Sequence, residues 1–107
     1  MHHALLPMAA AAAAALLAAS PARASQALAD KAGCSACHAV AKKALGPSYK
    51  EIAARYKGRT DAAAVLAASV RNGSKGTWGA LPMAPTGPER LSDADLKALV
   101  SGVLKTP

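Results

Sequence analysis

The sequence predicts an all-α domain of about four helices, and three observations predict it. From Ser25 onward the apolar residues recur at helical spacing. No stretch alternates between apolar and polar residues for long enough to suggest a sheet. The periodic segments are bounded by residues that start helices (serine, threonine, proline) and by glycines that stop them.

The chain of 107 residues opens differently, because Ala4 to Ala19 is an almost unbroken apolar run followed by Ser20, Pro21 and Ala22-Arg23-Ala24. The run is about as long as a secretory h-region and short for a membrane span, and Ala22 and Ala24 fit an A-x-A cleavage rule. Residues 1–24 are therefore expected to be a signal peptide cleaved near Ala24. Residues 25–107 would then be a periplasmic domain without a stable membrane span. The n-region has little positive charge beyond its amine, His2 and His3, so an uncleaved anchor is the competing reading. A soluble Ala-rich helix is the poorer one, since the run has no polar face.

The first helix is expected from about Gln26 to Ala32, with Ser25 as its N-cap and Gly33 as its stop. Gly46-Pro47 opens the second, in which Tyr49, Ile52, Ala53 and Tyr56 share a face until Gly58. Thr60 caps the third, with an inner face of Ala62, Val65, Leu66 and Val70, and Asn72-Gly73 closes it. Ser92 begins the fourth, with Asp95 completing an approximate capping box and Leu96, Leu99, Val100, Val103 and Leu104 forming a full stripe. Between the last two, Gly73 to Leu91 is a long Gly- and Pro-rich stretch, and a loop of that length needs a job. Pro82 and Pro85 stiffen the residues around Met83, as if to hold that side chain in one place.

Cutting 24 residues from 107 leaves 83, which is small for a fold held by an apolar core alone. Disulfides, a metal or a large buried cofactor are the usual remedies, and two cysteines can make at most one disulfide. Cys34-Ser35-Ala36-Cys37-His38 is the C-x-x-C-H pattern of covalent c-type haem attachment. On one helical turn residues i and i+3 face the same way, so two thiols can reach the two vinyl groups on one porphyrin edge. His38, at i+4 from Cys34, can then present Nε2 to the iron.

Rival readings are a thioredoxin-like dithiol, a zinc site and a plain disulfide. The first lacks a βαβ framework, the second lacks two further Cys or His ligands once the leader is gone, and the third has little to motivate it. With Met1 and Met8 removed, Met83 is the remaining methionine and His38 the remaining histidine. A bis-histidine iron within one chain is thereby excluded. Met83 is then either an axial thioether or ordinary core filling, and its proline-braced setting favours the thioether.

The whole chain carries 13 Lys and Arg against 6 Asp and Glu, a formal +7; loss of Arg23 leaves 12 against 6. Such a surface suits an acidic partner, although scattered lysines also serve solubility. One Trp, two Tyr, no Phe and no dense basic run argue against nucleic acid.

With "GCSACHAV", "GPSYKEIAARYKG", "RNGSKGTWGALPMAP" and "LSDADLKALVSGVLK" in this order, the chain resembles the small bacterial class I c-type cytochromes of the cytochrome c-551 type. The resemblance implies a compact fold of about four helices wrapped around one covalently bound haem c. It implies thioethers at Cys34 and Cys37, axial ligands at His38 and Met83, a Pro47 carbonyl accepting from His38 Nδ1–H, and a Trp78 indole N–H near a haem propionate. An ordinary half-buried aromatic is the plainer reading of Trp78. Two departures stand out: Thr86 replaces a common asparagine in a Met83-to-Ser92 connection a few residues longer than usual, and Ser69 replaces a basic residue found in some relatives.

The function so implied is electron transfer without catalysis, by a monomeric shuttle. Its partners would be a donor such as the cytochrome bc1 complex and an acceptor such as a nitrite reductase, oxidase or peroxidase. The alternative is a haem-based gas sensor or small peroxidase in which Met83 leaves the iron.

Overall fold

A computed structural model describes residues 21–107, so the apolar run assigned above to a leader lies outside the described residues. Among them are four α-helices: α1 (Pro21–Ala32), α2 (Tyr49–Tyr56), α3 (Ala62–Asn72) and α4 (Asp93–Leu104), with a single 3-10 turn at Cys34–Ala36. The described residues contain no strand, only one antiparallel bridge between Ser74 and Met83. The all-α expectation is therefore met.

The N-cap expected at Ser25 is corrected. Helix α1 begins at Pro21, where a residue without an N–H loses nothing in a first turn. Ser25 lies inside the helix and is buried with Ala29 and Ala32 on one stripe. Gly33 ends α1 with φ of 82°, a conformation glycine adopts without strain.

Helix α2 starts two residues beyond Pro47. Its cap is Ser48, fully buried, whose Oγ accepts from the Glu51 N–H at 3.0 Å. The whole inner set expected for it, Tyr49, Ile52, Ala53 and Tyr56, is buried.

The cap of α3 is Asp61 rather than Thr60, and its side chain makes no capping bond. The Asp61 carboxylate instead pairs with Arg59 at 2.9 Å, which removes it from competition for the helix N–H groups. Of the expected α3 face only Ala62 is buried; Val65, Leu66 and Val70 are half-buried.

Helix α4 packs against the other three. Ser92 Oγ accepts from the Asp95 N–H at 3.2 Å, and Asp93 and Asp95 place negative charge in the first turn, where the helix dipole favours it. Leu96, Leu99 and Val100 are buried against Ala29, Ala32, Tyr49, Ile52 and Tyr56, with Leu91 closing the cluster.

The capping bond of Ser48 is made where water cannot replace it. Ser48→Ala should cost about 1 kcal/mol or somewhat more in denaturant unfolding. Ser92→Ala, at an exposed cap, should cost less.

Candidate functional site

Helices α2, α3 and α4, the 3-10 turn and the 74–86 loop enclose a cavity of about 330 Å³. Its walls include Leu66 and Val70 of α3, Ile52 and Tyr56 of α2, and Leu99, Val100 and Val103 of α4. That placement is the physical reason Leu66 and Val70 are only half-buried: they face the cavity. Cys34, Cys37, His38, Pro47, Trp78 and Met83, the residues singled out in the sequence, all line this cavity.

One wall is built from a short piece of chain. The Cys34 carbonyl accepts from the N–H groups of Cys37 at 3.1 Å and His38 at 2.9 Å, which tightens the turn. Cys34 is half-buried, Cys37 is exposed, and neither is in a disulfide. Burial pushes the Cys34 thiol up, with the nearby Arg90 guanidinium working in the opposite sense. Asp30 accepts hydrogen bonds from Ser35 and Gln26, in that order of effect, and they hold its carboxyl below the usual range.

His38 is oriented from three sides. Nδ1 lies 2.7 Å from the Pro47 carbonyl oxygen; a carbonyl can only accept, so Nδ1 carries a proton, and the neutral tautomer this contact selects has its lone pair on Nε2. The Tyr49 ring stacks at 5.8 Å between centroids with planes 22° apart. Gly46 leaves the remaining room, for a Cβ there would stand 2.7 Å from His38 Cε1. The Gly46 N–H, bonded to the Cys37 carbonyl at 2.8 Å, fixes that approach.

The opposite wall carries Met83. Its N–H donates to the Ser74 carbonyl at 2.8 Å and its carbonyl accepts from the Ser74 N–H at 3.1 Å. Gly73, with φ of 76°, sits so close that a Cβ would lie 2.6 Å from the Met83 carbonyl oxygen. Trp78 is half-buried at the cavity, and Arg55 covers its ring with the guanidinium carbon 4.4 Å from the centroid. Arg55 Nη1 also donates to the Thr77 carbonyl at 2.8 Å, so the loop carrying Trp78 is tied to α2. Ser69 lines the cavity, but its hydroxyl donates back to the Val65 carbonyl at 3.1 Å.

These residues suit a large, flat, mostly apolar group with a metal at its centre. Two thiols stand one turn apart, an imidazole has a prepared Nε2, and a thioether comes from another segment. The Tyr49 hydroxyl is the one buried side-chain polar atom among the described residues without a hydrogen-bond partner. No group of three or more Cys, His, Asp or Glu that could hold a metal ion is present among the described residues. The sequence did not mark Gly46 as the floor beneath the imidazole, Tyr49 as more than core, or Arg55 and Arg71 as loop anchors. Their roles arise from contacts across the fold, and only the Gly46-Pro47 pair carried a local signal.

The model of the cytochrome c family matches residues 22–106. The chain is 58% identical over 80 residues to cytochrome c2 of Rubrivivax gelatinosus, spanning 75% of this chain and 94% of that protein. It is 44% identical over 72 residues to cytochrome c-551 of Pseudomonas aeruginosa, spanning 67% and 66% respectively. The crystal structure of wild-type Nitrosomonas europaea cytochrome c552 is similar with a TM-score of 0.70 and 45% identity, covering 77% of this chain and 99% of that one.

Two outcomes follow from the His38 wall. Gly46→Ala should displace the imidazole and cost about 1–3 kcal/mol, the range for overpacking, visible in denaturant unfolding and in the His38 ring resonances. Burial pushes the Tyr49 phenol up to about 12 from 10.0, with smaller contributions from Cys34 and Asp30. The folded state therefore holds its proton more tightly than the unfolded state. That stability is fully present below pH 10 and is lost as pH rises toward about 12. Unfolding measured across this window should show a shallower alkaline decline in Tyr49→Phe than in the parent.

Proposed function

This chain belongs to the cytochrome c family, and from that premise we propose that it is a periplasmic one-electron shuttle with His38 and Met83 as axial ligands of its haem iron. It is an electron carrier, not an enzyme, and it carries one covalently bound haem c. The observation that supports the finer reading is the convergence of Cys34, Cys37, His38 and Met83 on one apolar cavity.

Bound there, the haem supplies a reversible one-electron couple at its iron. Cys34 and Cys37 tether it through thioethers. His38 offers Nε2, and the Pro47 carbonyl both sets the ring's orientation and strengthens it as a donor. Met83 offers sulfur from the far wall, a ligand that raises the potential relative to harder donors. Trp78, at the cavity lining, would offer its indole N–H to a propionate. With His38 and Met83 both serving as ligands, no position would be left for oxygen or peroxide, and the chain's own residues would need little rearrangement. The cavity mouth exposes Leu45 and Leu81, 63% and 62% accessible, and this apolar rim is the transfer face.

Residues 1–24 act as the cleaved leader, and 25–107 form the monomeric working domain. No helix among the described residues is long and apolar enough to cross a membrane. A donor such as the cytochrome bc1 complex and an acceptor such as a nitrite reductase, oxidase or peroxidase would meet the basic surface through acidic faces of their own.

Purified exported protein should show sharp reduced haem bands that survive acid-acetone extraction; colourless material from a host able to attach haem would refute the assignment. In the ferric protein, Met83→Ala should abolish a weak band near the red end of the visible spectrum and lower the potential. Rapid carbon monoxide binding by the unaltered ferrous protein at neutral pH would instead favour a sensor. Electron-transfer rates with an acidic partner should fall as salt is raised, and a flat dependence would count against the docking model.

A further inference from the structure

The segment carrying Met83 is fastened to the end of α3 at two places. At Met83 itself stand the paired backbone bonds to Ser74 and the close packing of its carbonyl on Gly73. After it, the Thr86 N–H donates to the Val70 carbonyl at 2.8 Å, and the Thr86 carbonyl accepts from Arg71 Nη1 at 3.2 Å. The second arm of the same guanidinium, Nη2, lies 2.7 Å from Asp93 Oδ1 in the first turn of α4. Arg71's side chain is only 18% exposed, whereas that of Asp93 is 94% exposed. A cation so far withdrawn from water is stable only when its donors are engaged, and here one partner lies three residues beyond Met83.

We propose that Arg71 is a positioning residue for Met83, spanning from the Thr86 carbonyl to the Asp93 carboxylate and so holding the thioether toward the cavity. The inference rests on the reading of Met83 as an axial ligand. It also gives Thr86 a role: the backbone of this buried residue, clamped at both N–H and C=O, is the fixed point of the connection to α4. A planar guanidinium spreads its donors over two nitrogens that point to separate acceptors; a lysine ammonium gathers its three donors at one atom and spans the same two acceptors less well.

The test compares the haem-loaded protein with Arg71→Gln, Arg71→Lys and Asp93→Asn. Arg59→Gln is the control, since it breaks the other ion pair, Arg59–Asp61, without touching the Met83 segment. Two readouts report on the thioether itself: the red band of the ferric protein, and the rate of carbon monoxide capture by the ferrous protein at limiting gas. That rate follows the fraction of molecules with the sulfur displaced.

Arg71→Gln should weaken the band and speed capture about tenfold, the loss expected for one hydrogen bond to a charged group. Arg71→Lys should recover part of the difference, Asp93→Asn should fall between, and Arg59→Gln should match the parent. If Arg71→Gln lowers global stability yet leaves band and capture rate unchanged, Arg71 is a tie between helices and the proposal fails. If Arg71→Gln does not accumulate, Asp93→Asn and Arg71→Lys decide by the same comparison. A parent protein with no red band would instead defeat the ligation reading, and this inference with it, before any variant is measured.

Discussion

The helices of this domain turn their apolar faces toward a shared cavity as much as toward one another, and that division governs the rest of the structure. Helices α1, α2 and α4 close directly through Ala29, Ala32, Ile52, Leu96 and Leu99. Helix α3 has α4 as its main helical neighbour and gives Leu66 and Val70 to the cavity wall. At about 24 cal/mol per Å³, filling 330 Å³ is worth roughly 8 kcal/mol as an upper bound for a site with an open mouth. A small domain's whole stability is of that order. The covalently held haem is thus a structural member as well as the redox centre, and so short a chain has no need of further staples.

The two walls of the site are built on different length scales. The contacts that orient His38 come from Cys34, Cys37, Gly46, Pro47 and Tyr49, a stretch of chain that closes on itself through short turns. Met83 depends on the end of α3, on a glycine with positive φ and, beyond Thr86, on the start of α4. Local contacts survive partial opening better than contacts that need two helices in register. The imidazole side is accordingly the more self-contained half, and the thioether side is the one coupled to the tertiary fold.

The same distinction decides what could be read from the sequence. The inner stripe of α2 and the N-cap at Ser92 are local patterns, and each has its expected form, whereas the C-x-x-C-H stretch closes as a 3-10 turn at Cys34–Ala36. The stiffness around Met83 was foreseen from Pro82 and Pro85; the bridge to Ser74 that fixes its register joins residues nine apart and left no periodic trace. Two caps were misplaced for reasons equally physical. Ser25 looks like a cap only if the helix starts after it, and Thr60 yields to Asp61, whose carboxylate is taken by Arg59. Arg55 and Arg71 read as surface charge in sequence. Only the folded chain lays one over Trp78 and threads the other between Thr86 and Asp93.

Charge near the cavity is distributed in a way the resemblance alone did not indicate. Ser69 stands where some relatives carry a basic residue, and its hydroxyl is committed to the Val65 carbonyl, so α3 gives the cavity no cation. Arg55 is nearby but occupied by the Trp78 ring and the Thr77 carbonyl. Among the described residues lining the cavity, Arg90 is the one lysine or arginine, and it lies against Gly33 beside Cys34. It comes from the connection between Met83 and α4. A fixed positive charge disfavours the more positive oxidation state of a nearby metal centre, and the effect falls off with distance and exposure. Arg90 therefore places positive charge on the cysteine side of the cavity, and α3 contributes no lysine or arginine to its lining.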